Sequence, residues 1–74
     1  MPSIQLINPN TSQRTTDTMV AIARASAPSG WTIEGITAPF GVALITNAQE
    51  LEIACQAVCS LGQSLKADGV IVAA

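Results

Sequence analysis

At 74 residues the chain is at most one small domain, and a core of that size buries too little surface to be comfortable alone. With 49% apolar residues, 11% charged residues and a net charge of -2 it reads as globular, and the scattered cations Arg14, Arg24 and Lys66 exclude an electrostatic nucleic-acid binder. No segment approaches the roughly 18 to 20 apolar residues of a membrane span, and "MPSIQLINPN" has neither the positive region nor the apolar core of a leader, so a soluble, cytoplasmic protein is expected.

The first predicted element is a short strand over residues 4–7, an apolar run ended by turn residues. It runs straight into Asn8, Pro9, Asn10, Thr11 and Ser12, and from Ser12 the period changes to helical, with Thr15, Met19, Ile22 and Ala23 on one stripe. "APSG" closes that helix. A second strand follows in "WTIEGITA", with Trp31, Ile33 and Ile36 as strand residues and Gly35 as a weak point or bulge. The apolar loop "PFGVALIT" then leads to Asn47, an N-cap with Glu50 three residues on, as in a capping box.

The second helix carries the strongest pattern. Leu51, Ala54, Cys55, Val58, Leu61, Gly62 and Leu65 form one apolar stripe, with Glu52, Gln56, Gln63 and Lys66 on the solvent side. After Asp68 and Gly69, "VIVAA" is a continuous β-branched run expected to be a strand buried on both faces. The order βαβαβ implies an α/β fold, a flavodoxin-like parallel sheet with right-handed crossovers and the first strand between the other two. Ligands then collect outside the carboxyl ends of the strands, where the Asn8 to Ser12 loop lies.

A three-stranded sheet that stops on its most hydrophobic strand leaves an edge and an apolar face open. Residues 1–74 are therefore expected to be the N-terminal portion of a larger protein, or an element completed by association with that remainder or by homo-oligomerisation. Cys55 and Cys59, four apart on one helix face, sit about 5 to 6 Å apart at their β-carbons, too far for a disulfide, and are expected to be reduced, small apolar core residues. Without histidine, these two thiols do not make a tetrahedral metal site.

Three features could carry chemistry. Asn8, Asn10, Thr11 and Ser12 all offer hydrogen-bond donors at a strand end and a helix start, where a carboxylate or imide oxygen is stabilised without any full positive charge. The plainer reading is capping and turning, with Pro9 fixing the loop, although one cap needs only one such residue. "PFGVALIT" could wall a substrate from water, with Phe40 as the available aromatic and Gly41 permitting close approach or motion; alternatively it is an ordinary packed loop or an extra helical turn. Asp17, Glu34, Glu50, Glu52 and Asp68 have no partner at a suggestive spacing and read as surface charge. The first strand-to-helix turn contains no glycine, which argues against a phosphate-cradling nucleotide fold.

"INPNTS" with its following helix, Pro39 in "TAPFG" and the Asp-Gly entry of "ADGVIVAA" resemble, in that order, the aspartate/glutamate racemase superfamily and its hydantoin and allantoin racemase branch. The resemblance covers the whole chain. It implies the first part of a two-lobed racemase-type fold and a cofactor-independent racemase. One thiolate of such an enzyme takes the α-proton of a hydantoin, allantoin or amino-acid-type substrate, and a second thiol returns a proton to the opposite face. Neither pyridoxal phosphate nor a metal takes part in that chemistry. The family's two cysteines fall outside residues 1–74 and do not coincide with Cys55 or Cys59, so no catalytic residue is expected in the chain. Asn10, Thr11 and Ser12 match the substrate-binding motif, supported by Asn8, and Pro39 and Phe40 would flank the entrance. A one-cysteine relative resembling arylmalonate decarboxylase or maleate isomerase is the alternative enzyme. A non-catalytic, flavodoxin-like binding or interaction module is the alternative outside enzymes.

Overall fold

The computed structural model describes residues 2–62 and 67–73. Five elements follow one another: β1 (Ser3–Asn8), α1 (Gln13–Ser26), β2 (Thr32–Thr37), α2 (Ala48–Gly62) and β3 (Gly69–Val72). The strands form one parallel sheet in the order β2-β1-β3, so the first strand is central, as the βαβαβ pattern requires. No helix among the described residues is long and apolar enough to cross a membrane.

Alternation along β1 sends Ile4, Leu6 and Asn8 to one face, in register with Ile33, Gly35 and Thr37 of β2. α1 lies on that face. Its buried residues are Thr16 and Val20, and Leu6, Val20 and Ile33 form the core, with Ile4, Met19, Ala23 and Ala27 packed against them. Ile22, expected on the inward stripe, is 63% exposed instead, because the stripe is centred one position away on Thr16 and Val20. α1 ends where Ala27, held extended before Pro28, donates from its backbone to Ala23. Gly30, at φ 91°, then turns the chain so that the Trp31 N–H reaches the Pro28 carbonyl. Trp31 therefore precedes β2 rather than belonging to it, and is exposed.

Gly35 is not a bulge, since the β1–β2 register runs through it without interruption. A β-carbon there would lie 2.5 Å from Val20 Cγ2 and 2.8 Å from Thr16 Cγ2, so the missing side chain lets α1 settle onto the sheet. Gly35→Ala is expected to destabilise the fold by about 1 to 3 kcal/mol through overpacking. In a Val20→Ala background the same change should cost clearly less; strictly additive denaturation free energies would contradict this contact. At the outer edge of β2, Arg24 donates from Nε and Nη2 to the Ile33 carbonyl at 3.1 and 2.8 Å, covering an acceptor that a neighbouring strand could otherwise use.

α2 begins as its cap predicts. The Glu50 N–H donates to Asn47 Oδ1 at 2.8 Å, while Glu50 Oε1 accepts from both N and Oγ1 of Thr46, each at 2.8 Å. The carboxylate thus reaches back one residue further than in the usual box. These bonds, the backbone one foremost, hold the Glu50 carboxyl below its ordinary value of 4.5. A lowered folded-state value stabilises the fold above the ordinary value and loses that contribution as pH falls through the folded one. The stability difference between the native protein and Glu50→Gln should accordingly be present at pH 7 and shrink below about pH 4; a pH-independent difference would remove the carboxylate from the cap.

The inward side of α2 differs from the expected stripe. Ala54 and Ala57 are buried and Ile53, Val58 and Leu61 half-buried, whereas Leu51, Cys55 and Cys59 are exposed. Apolar residues flank α2 on both sides of its contact line, so periodicity alone does not select which flank meets the sheet. The cysteines are therefore not core residues here. Gln63, Leu65 and Lys66 lie outside the described residues. β3 departs from expectation too: Val70, Ile71 and Val72 are each about half exposed, because β3 has a strand neighbour on one side only.

Candidate functional site

The carboxyl ends of β1 and β2 bring two loops together. The Ala38 N–H donates to the carbonyls of Asn8 (2.9 Å) and Asn10 (3.3 Å), and the Thr11 N–H donates to Val42 O at 2.9 Å. The loop after β2 is thereby tied to the loop after β1. Gly41, at φ 120°, supplies a backbone conformation that a side chain would strain. Pro39 and Phe40 stand on the exposed side of this second loop, next to buried Ala38.

Within the first loop the two asparagines have opposite duties. Asn8 is fully buried and wholly engaged. Its Oδ1 accepts from the Asn10 backbone N–H at 3.1 Å, and its Nδ2 has Asn10 Oδ1 (2.8 Å), Ser12 O (3.0 Å) and Thr16 Oγ1 (3.0 Å) as acceptors. Asn8 therefore supports the loop from beneath.

Asn10 is 6% exposed, and its Oδ1 accepts from Asn8 Nδ2 and from the Ser12 backbone N–H at 3.0 Å. A backbone N–H can only donate, so the atom facing Ser12 must be the oxygen, and the amide orientation is settled. What Asn10 has left to offer is its Nδ2, which has no partner among the described residues.

Ser12 caps α1, its Oγ accepting from Thr15 N (3.3 Å) and Thr15 Oγ1 (3.0 Å). Its own hydroxyl proton is thus free to point outward. Half-buried Thr11 adds a second hydroxyl, and the N–H groups of Gln13 and Arg14 open the helix without intrahelical partners. The result is an array of donors without a carboxylate: Asn10 Nδ2, the Thr11 and Ser12 hydroxyls, and the first turn of α1. Such an array accepts an oxygen that carries or develops negative charge.

Thr16 was not among the residues singled out from the sequence, yet it joins this loop to both α1 and β2. The signal for it was a polar residue, four after the cap, in the middle of the inward stripe of Thr16, Val20 and Ala23.

Cys55 and Cys59 face a groove that shares only Pro9 with this loop. With Pro9, Leu51, Ala54, Val58 and Val72 they line an open apolar groove between α2 and β3, which offers no polar group to an anion. A hydrogen bond with Cys59, and then charge repulsion from it, push the Cys55 thiol above its ordinary value, the opposite of what a proton-abstracting thiolate needs.

The model of the Asp/Glu/hydantoin racemase family matches residues 4–74. Among solved structures, allantoin racemase from Klebsiella pneumoniae superposes with a TM-score of 0.91 at 35% sequence identity, over 100% of this chain and 31% of that one. The chain therefore spans about a third of the length of that racemase. No curated protein matches it. A racemase-type sheet, a match over nearly every residue and the asparagine-rich loop at the carboxyl end of β1 together place the chain in the Asp/Glu/hydantoin racemase family.

Proposed function

We propose that the protein bearing this chain is a cofactor-independent racemase that removes and returns a proton at a carbon next to a carbonyl group, on a hydantoin, allantoin or amino-acid-type substrate. Family membership supports the reaction type, and the resemblance to an allantoin racemase supports a cyclic or open ureide as the first substrate to try. The observation that carries the role of this segment is the fixed amide of Asn10, whose free Nδ2 stands with two hydroxyls at a helix start. Loss of the α-proton moves negative charge onto the adjacent oxygen, and preorganised neutral donors stabilise that charge more than they stabilise the ground-state carbonyl. Pro39 and Phe40 would border the entrance. The proton-moving groups are assigned to residues outside this segment, since the thiols of Cys55 and Cys59 open into a different groove. The exposed strand β3 and that groove fit association with further racemase-type structure or with a second copy.

The test is to incubate the native protein with one enantiomer each of allantoin, a 5-substituted hydantoin, aspartate and glutamate in D2O. Loss of optical activity together with deuterium at the α-carbon is expected for at least one of them. Carbon dioxide release from an arylmalonate, or geometric isomerisation of maleate, in place of α-exchange would move the protein to a different reaction of the superfamily.

A further inference from the structure

We infer that Thr16 is a positioning residue for the racemisation, holding the Asn10 donor in place through Asn8. The hydrogen bonds around Thr16 can be given a direction because both ends of the series are constrained. Asp17 Oδ1 can only accept, so Gln13 donates to it from Nε2 at 2.9 Å and keeps Oε1 as an acceptor. Thr37 Oγ1 donates to that Oε1 at 2.9 Å. Its proton being used, Thr37 accepts from Thr16 Oγ1 across 2.7 Å, a shorter contact than the 3.3 Å from the same hydroxyl to the Ser12 carbonyl, and Thr16 in turn accepts from Asn8 Nδ2 at 3.0 Å. Four side chains thus donate in one direction, from buried Asn8 through Thr16, Thr37 and Gln13, to the Asp17 carboxylate.

Thr16 is the link on which the others depend. Asn8 Nδ2 has two protons: one goes to Asn10 Oδ1, and the second faces Thr16 Oγ1 and Ser12 O. Ser12 O is also approached by the Thr16 backbone N–H at 3.2 Å and by the Thr16 hydroxyl at 3.3 Å, so of the two acceptors the Thr16 oxygen is the less contested for that second proton. If the hydroxyl is lost, that second proton is left with Ser12 O alone, and the Asn8 amide shifts toward it, moving the Asn10 side chain to which it is bonded. A donor displaced by about 1 Å can cost about a hundredfold in rate.

The two halves of the Thr16 side chain separate this role from packing. Oγ1 serves the series of donors, whereas Cγ2 is the methyl that closes on Gly35. Thr16→Val keeps a methyl toward Gly35 and removes the hydroxyl; Thr16→Ser does the reverse. The inference rests on the racemisation reading for its kinetic arm alone. In the native protein, Thr16→Val is expected to lower kcat/KM about tenfold to a hundredfold while melting no lower than Thr16→Ser. Thr16→Ser should melt lower yet stay within about threefold of the native kcat/KM. Activity that follows melting temperature through both variants, or an unimpaired Thr16→Val, would overturn the assignment.

Side-chain amide NMR of Asn8 and Asn10 supplies an arm that needs no turnover. Thr16→Val should lower the exchange protection of the Asn8 amide and Thr16→Ser should retain it. If the native protein moves no α-proton, the racemisation reading fails while these signals still decide whether Thr16 holds the asparagine pair. Unchanged protection in Thr16→Val refutes that hold whatever the activity.

Discussion

Asn8→Asp is expected to leave the protein unfolded near neutral pH and to let it fold again in acid. The substitution keeps shape and changes only what the side chain can donate. Asn8 Nδ2 faces three oxygen acceptors inside a fully buried site, and a carboxylate there would present a charged oxygen to all of them with no proton to share. A loss of at least about 4 kcal/mol is expected, a large share of the roughly 5 to 15 kcal/mol that keeps a protein domain folded. Protonation restores one donor, so the folded state binds a proton more tightly than the unfolded state. The carboxyl's folded-state value is then raised, and stability is greatest below the ordinary aspartate value of about 3.9 and falls as pH rises above it. Circular-dichroism melts from pH 3 to pH 7 measure this directly; equal stability across that range would show that Asn8 is not the buried donor described.

Asn10→Asp, two residues further on, is expected to do the reverse: to preserve the fold and remove the activity. Asn10 uses its oxygen internally, accepting from Asn8 Nδ2 and Ser12 N, and a carboxylate accepts both bonds equally well. It also lies beside the start of α1, where the helix dipole favours negative charge, so a stability change within about 1 kcal/mol is expected. What disappears is the Nδ2 donor, and a negatively charged oxygen takes its place where the proposed substrate oxygen would bind. Loss of one preorganised donor to a developing oxyanion typically costs about a hundredfold to a thousandfold in turnover, and the added repulsion acts in the same direction. Deuterium exchange at the α-carbon and urea denaturation on one preparation separate the two effects. An Asn10→Asp protein that is both folded and active would return this loop to a purely structural role.

The two asparagines show how far the sequence can be read. Four amide and hydroxyl residues at a strand end are visible in "NPNTS", and so is their excess over what a cap requires. Their division of labour is not visible. It depends on Thr16, eight residues after Asn8, reaching under the loop, and on the Ser12 N–H fixing the direction of the Asn10 amide. Gly35 shows the same limit: a glycine in a strand pattern signals a special position, but whether it marks a bulge or a close helix becomes clear only when Val20 and Thr16 are found above it.

Local choices are legible along the chain: strand and helix periods, the caps at Ser12 and Asn47, the stop before Pro28, and the alternation that implies a central first strand. These depend on side-chain spacing and on backbone groups a few residues apart, and both are written along the chain. Packing between distant segments sets which flank of α2 meets the sheet, how far Val70, Ile71 and Val72 are left uncovered, and which way the amides of Asn8 and Asn10 are turned. Those outcomes depend on contacts between distant segments, where one apolar flank competes with another and a buried amide takes whichever orientation satisfies its neighbours.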